Sequence, residues 1–200
     1  MCTVSFYQDN SKVIITSNRD EHINRPSAIS PKKISYGAKT LYYPKDPQAG
    51  GTWFAVNSIG FVFVLLNGAE AKHIPNPPYR KSRGLVLLDI INSNNFLEEW
   101  NIINLSNIEP FTVIAFVDHQ LFQIRWNEIE KSLIQLDSNR AYIWSSTTLY
   151  SEAVISIRES WFSEFLNQNK ENICSDDFIS FHTNTQKHDT QNGLVMNRKN

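Results

Sequence analysis

The chain has 200 residues, 41% of them hydrophobic, which is enough for one substantial core and short for two domains. A formal net charge of −1 and an isoelectric point near 6.5 leave no electrostatic footprint for nucleic acid or an anionic membrane. The two cysteines lie far apart and form no metal or redox motif.

Cys2 follows the initiator methionine, and a small second residue allows that methionine to be removed. The product would be a cysteine with a thiol and a free α-amine on one residue, a nucleophile with its own base. The next residues read as a strand (Thr3 to Tyr7), a turn (Gln8-Asp9-Asn10-Ser11) and a second strand (Lys12 to Ser17). Such a hairpin returns Asn18-Arg19-Asp20-Glu21 to the end of the sheet where the chain begins. Arg19 there would favour a thiolate, and Asp20 could hold the α-amine. The first twenty residues alternate and carry charge, so no signal peptide is read and the chain is expected to be soluble and cytoplasmic.

Ser27 to Gln48, with Pro31, Pro44 and Pro47, reads as a long irregular segment, either covering the mouth of a site or a surface excursion with no catalytic role. Gly50-Gly51 reads as a turn needing positive φ rather than a phosphate cradle. A hairpin follows, Thr52-Trp53-Phe54-Ala55-Val56 against Phe61 to Leu66, and then Asn67-Gly68. The basic run Arg80-Lys81-Ser82-Arg83 reads as a solvated helix start. Helices are expected over Ser82 to Ile91, Phe96 to Ile103 and Ser151 to Asn169, the last with Val154, Ile157, Trp161 and Phe165 on one stripe. A second hairpin spans Phe111 to Val117 and Leu121 to Trp126, and Ala141 to Trp144 is a shorter strand. Cys174 is expected as a free thiol in or near the core. Gly193 to Met196 looks like the start of a strand, so the chain reads as one domain over 1–200, short of a final C-terminal strand. Grouped antiparallel strands with helices between them give an α+β class.

Met1-Cys2, Asn18-Arg19-Asp20-Glu21, Arg25-Pro26, Gly50-Gly51-Thr52-Trp53, Asn57-x-x-Gly60, Asn67 and Ser82-Arg83-Gly84 occur in that order. Together they resemble the NRDE family, which includes the transport and Golgi organisation type, with weaker matches at Trp144-Ser145-Ser146 and Gly193 to Met196. The resemblance implies an N-terminal-nucleophile hydrolase-like fold, a four-layer αββα sandwich of two antiparallel sheets. It is distantly similar to choloylglycine and penicillin V acylases, in which an N-terminal cysteine cleaves linear amides.

On that resemblance Cys2, Arg19, Asp20 and Asn67 are the candidate catalytic residues, with Asn67 as the oxyanion donor. Asn18, Trp53 and Ser146 are candidate substrate contacts. Ser145-Ser146 stands where the acylases carry a second asparagine, and their further catalytic arginine has no clear counterpart. The partner is expected to be a small acylated or hydrophobic molecule, with no nucleic acid and no integral membrane association. No metal or cofactor is expected, since His22, His73, His119, His182 and His188 fall at no ligand spacing. A different reading is a non-catalytic carrier of lipid or haem.

Overall fold

A computed structural model describes residues 3–37, 39–169, 173–184 and 189–196. Their strands are β1 (Thr3–Gln8), β2 (Val13–Asn18), β3 (Ile29–Tyr36), β4 (Lys39–Lys45), β5 (Phe54–Asn57) and β6 (Val62–Asn67). After helices α1 (Arg83–Asn92) and α2 (Phe96–Ile102) come β7 (Phe111–Val117), β8 (Gln120–Trp126), β9 (Lys131–Leu136) and β10 (Tyr142–Ser145). Helices α3 (Glu152–Gln168) and α4 (Ser175–Thr183) complete the set. The class is α+β, with a three-stranded sheet ordered β10-β1-β2 and a seven-stranded sheet running β3 to β9 in chain order, every pairing antiparallel. Two compact units result, one from residues 1–20 with 138–200, the other from 21–137.

In the first unit the β1–β2 hairpin forms as the sequence expects. Asp9 closes it by accepting from the Ser11 and Lys12 backbone N–H groups at 2.8 and 3.1 Å. Helix α3 packs on β10 and α4 on β2. Ser151 caps α3, and Phe162, Phe178, Phe181 and Leu194 pack with Tyr7 and Ile14 of the sheet into one apolar cluster. Helix α4 is absent from the sequence reading, because only Phe178, Ile179 and Phe181 break its polar run; the three-residue spacing of the two buried phenylalanines was the signal. Cys174 corrects an expectation: it is exposed, at the N-terminus of α4, where its backbone N–H donates to Asp177 Oδ2 at 2.8 Å. Residues 193–196 form no strand and instead run as an irregular strap with Leu194 buried.

In the second unit β7 is buried along its whole length, as its unbroken Phe-Thr-Val-Ile-Ala-Phe-Val run requires of a central strand. Phe96 of α2 packs edge-on against Phe63 and Phe122, and Trp100 against Phe111. The turn at Asp118-His119 has both residues at positive φ, the geometry that suits a two-residue hairpin. Residues 27–48 are corrected from an irregular segment to the β3–β4 hairpin. Pro31 is tolerated because β3 is an edge strand, where a missing N–H costs no ladder bond. Strand β9 at the other edge escaped notice because Leu133 and Ile134 are adjacent and exposed, which spoils the alternation.

Each unit thus lays helices on one antiparallel sheet, the pair of layers that half of an αββα sandwich comprises. No helix among the described residues is long and apolar enough to cross a membrane.

Candidate functional site

In the first unit Thr3 stands opposite Asn18 on one side and Ser145 on the other. Arg19 and Asp20 therefore leave β2 at the end of the sheet where β1 begins. Cys2 itself lies outside the described residues. Arg19 and Asp20 are both half-buried.

Asp20 is held from the far side of the sheet's end: the Tyr150 hydroxyl donates to its Oδ2 at 2.5 Å. Tyr150 is brought there by a tight turn in which the Ser146 carbonyl accepts from the Leu149 and Tyr150 N–H groups, each at 3.2 Å. Ser146 is buried, its hydroxyl 3.1 Å from that of Thr148.

The face of β1 that carries Thr3 and Ser5 meets a polar network rather than oil. Arg158, in the middle of α3, is fully buried. Its guanidinium donates to Thr3 Oγ1 at 2.6 Å and to the carbonyls of Asn192 and Gly193 at 3.0 and 2.8 Å, and it lies 3.7 Å from the Tyr150 ring centroid. Such stacking over an aromatic face is favourable for a desolvated guanidinium.

His182 of α4 fills the neighbouring space. Asn18 Nδ2 donates to the carbonyls of His182 and Leu194 at 2.8 and 3.3 Å, so its Oδ1 is the atom facing His182 Nδ1. Nδ1 therefore carries the proton, and Nε2 accepts from the Ser5 hydroxyl at 2.7 Å. Burial, with the Arg158 charge added, pushes the His182 pKa down to about 4, so the ring is neutral at pH 7.

The remaining candidates belong to the second unit. Asn67 ends β6 opposite Phe111, and Gly68 after it has φ +85°, the sharp turn anticipated for it. The Gly68 N–H donates to the Pro110 carbonyl at 3.0 Å. Trp53 is half-buried, its carbonyl accepting from the Leu65 N–H at 2.8 Å. Gly51 packs backbone to backbone on Gly84 at the start of α1: a Cβ on Gly51 would lie 2.4 Å from the Gly84 carbonyl carbon. The two glycine motifs are thus halves of one contact.

The basic run is not a solvated helix start throughout. Arg83 pairs with Glu109 at 2.9 Å with its side chain only 16% exposed, and Glu109 also meets His73 at 3.2 Å. Burial pulls the Arg83 guanidinium below the usual arginine range, while Glu109 opposes that pull. Arg25 makes two bonds to Asp46 Oδ2, at 3.1 and 2.8 Å, and Asp46 in turn accepts from the Gln48 and Ala49 N–H groups.

Sequence reasoning missed Arg158, Tyr150 and His182. Arg158 lies four residues after Val154 and four before Phe162, on the apolar side of α3, and that placement was the available signal. Among the described residues no group of three or more His, Cys, Asp or Glu is arranged to hold a metal ion.

Residues 1–199 match the sequence model of a family described as Transport and Golgi organisation 2. No curated protein matches the chain.

Proposed function

The chain belongs to the Transport and Golgi organisation 2 family, and from that premise we propose that it is a cysteine N-terminal-nucleophile hydrolase acting on a linear amide of a small acylated molecule. One observation carries the reading: the Thr3–Asn18 register delivers Arg19 and Asp20 to the sheet end where the chain starts, with Asp20 held by Tyr150. A nucleophile, a base and a carboxylate to orient that base are then contributed by Cys2 and its immediate surroundings.

In the proposed reaction the Cys2 α-amine takes the thiol proton. The thiolate attacks the acyl carbon, the C–N bond breaks, and the ammonium returns its proton to the leaving amine. Water, deprotonated by the same amine, then cleaves the thioester and restores the thiol. Arg19 favours the thiolate and Asp20 orients the amine, while Asn67 keeps only the oxyanion-donor role that the family resemblance implies for it. Trp53 and Ser146 are retained as proposed substrate contacts, whereas the Asn18 amide is engaged by His182 and Leu194.

Intact-mass spectrometry of the protein from its native host, followed by labelling with a thiol-directed acyl probe and peptide mapping, tests this. The expected product begins at Cys2 and carries the acyl group there. A retained methionine, or no Cys2 adduct across a panel of acyl amides and thioesters, sinks the hydrolase and leaves a carrier of a hydrophobic ligand. With a turned-over substrate, Asn67→Ala should lower kcat by roughly a hundredfold or more, the usual cost of one lost oxyanion donor.

A further inference from the structure

We infer that Arg158 and Tyr150 are positioning residues for this site, an inference that rests on the hydrolase reading and adds two side chains to it. Neither is proposed to touch substrate. Tyr150 donates to Asp20 Oδ2 at 2.5 Å, and the Tyr150 ring is itself fixed by the guanidinium 3.7 Å from its centroid. That guanidinium is in turn fixed by Thr3 Oγ1, the side chain of the residue after Cys2, and by two carbonyls of the strap at 192–193. One buried cation thus ties the first described residue of β1 to the aromatic ring that orients Asp20.

The geometry resists alternatives. Tyr150 is 6% exposed and Arg158 wholly buried, so neither rotates into solvent without opening the unit. A planar fork is required to reach Thr3 and both carbonyls while lying flat on a ring, which an ammonium cannot do. Purely structural packing of Tyr150 would be satisfied by its ring alone. The hydroxyl is spent on Asp20.

On the hydrolase reading Asp20 orients the Cys2 ammonium and so stabilises a thiolate–ammonium pair; loosening Asp20 should then move thiol ionisation to higher pH. The test follows iodoacetamide alkylation of Cys2 against pH by peptide mapping, with exposed Cys174 as the internal reference thiol. Tyr150→Phe should move the Cys2 midpoint upward by about half to one pH unit, a roughly three- to tenfold slower reaction at pH 7. Its melting temperature should fall by only about 2–4 °C, the effect of one lost hydrogen bond. Arg158→Lys should give the same upward displacement, since the charge is kept but the fork is lost. Asp20→Asn should displace the midpoint at least as far, and adding Tyr150→Phe to it should change nothing more, because the hydroxyl acts through that carboxylate.

A parent Cys2 no faster than Cys174 would defeat the hydrolase reading itself. A fast parent Cys2 left unchanged by Tyr150→Phe, or additive effects in the double variant, would overturn the positioning role alone. Arg158→Lys at the parent rate would remove Arg158 from it.

Discussion

His182 makes acid stability a test of the buried network. Its ring is neutral, with Nδ1–H donating to Asn18 Oδ1 and Nε2 accepting from Ser5, and its pKa is depressed from 6.5 to about 4 by burial first and the Arg158 charge second. A histidine whose folded pKa lies below its unfolded one binds its proton less readily when folded. Between about pH 6.5 and 4 the unfolded chain therefore holds the extra proton, and stability falls as pH falls. Over the whole window the gap corresponds to about 3 kcal/mol at about 1.4 kcal/mol per pH unit, and from pH 7 to 5 to about 2 kcal/mol. Carboxylates held below their usual range, Asp177 and Asp189 among them, lose their contributions only as pH falls through the carboxylate range, mostly beneath this window. Urea unfolding of the parent and of His182→Gln at pH 7, 6 and 5 isolates the term, because glutamine keeps polar atoms without titrating. The parent should lose about 2 kcal/mol more than the variant between pH 7 and 5. Equal losses would mean that His182 is either protonated in the folded state or free to reach water, and the assigned tautomer would be wrong.

Two further outcomes follow from packing. Phe178 is fully buried and meets Tyr7, Phe162 and Phe165 at ring-centroid distances of 5.7, 6.2 and 5.2 Å, so Phe178→Ala should cost about 3–5 kcal/mol in denaturant unfolding. Gly84→Ala would set a Cβ 2.6 Å from the Thr52 carbonyl oxygen, backbone that cannot swing away, and should cost about 1–3 kcal/mol; a thermal shift within error would show that the loop yields.

Residues that obey one period were legible in the sequence. The β1–β2 hairpin was readable from its strands and from Asp9, whose side chain makes the turn it suggests. Helix α3 was readable as a helix from its apolar spacing, although Ile157 of the expected stripe is exposed and its neighbour Arg158 is buried instead, and Gly68 was readable from the turn it had to permit. What stayed hidden lies where a residue type contradicts its surroundings. Prolines in β3 and β4 signal a loop, yet Pro31 lies on an edge strand and Pro44 falls where the β3–β4 register shifts between Lys45 and Tyr43, so both cost little. Cys174 signals a buried thiol, yet it begins a helix in solvent. Arg158 signals a surface, yet it is at the centre of a unit. The candidate site was legible as far as Arg19 and Asp20, because a hairpin register is local. The groups that hold Asp20 come from residues 130 and more positions away, and only the fold brings them there.

Arg158 bears on which function is proposed. Withdrawing a guanidinium from water costs several kcal/mol; its hydrogen bonds among the described residues run to a hydroxyl, two carbonyls and a thioether, and the Asp189 carboxylate acts on it only through space. A methionine at that place would fill α3's inner face at lower cost, and apolar replacements of buried charges often leave a fold as stable or more so. A fold whose whole task was to enclose a hydrophobic ligand gains nothing from the cation, whereas a site that must fix one carboxylate beside an N-terminal amine gains a rigid anchor. The stability cost is thus most simply understood as serving the end of the sheet where Thr3, Tyr150 and Asp20 meet, and it is there that the hydrolase reading stands or falls.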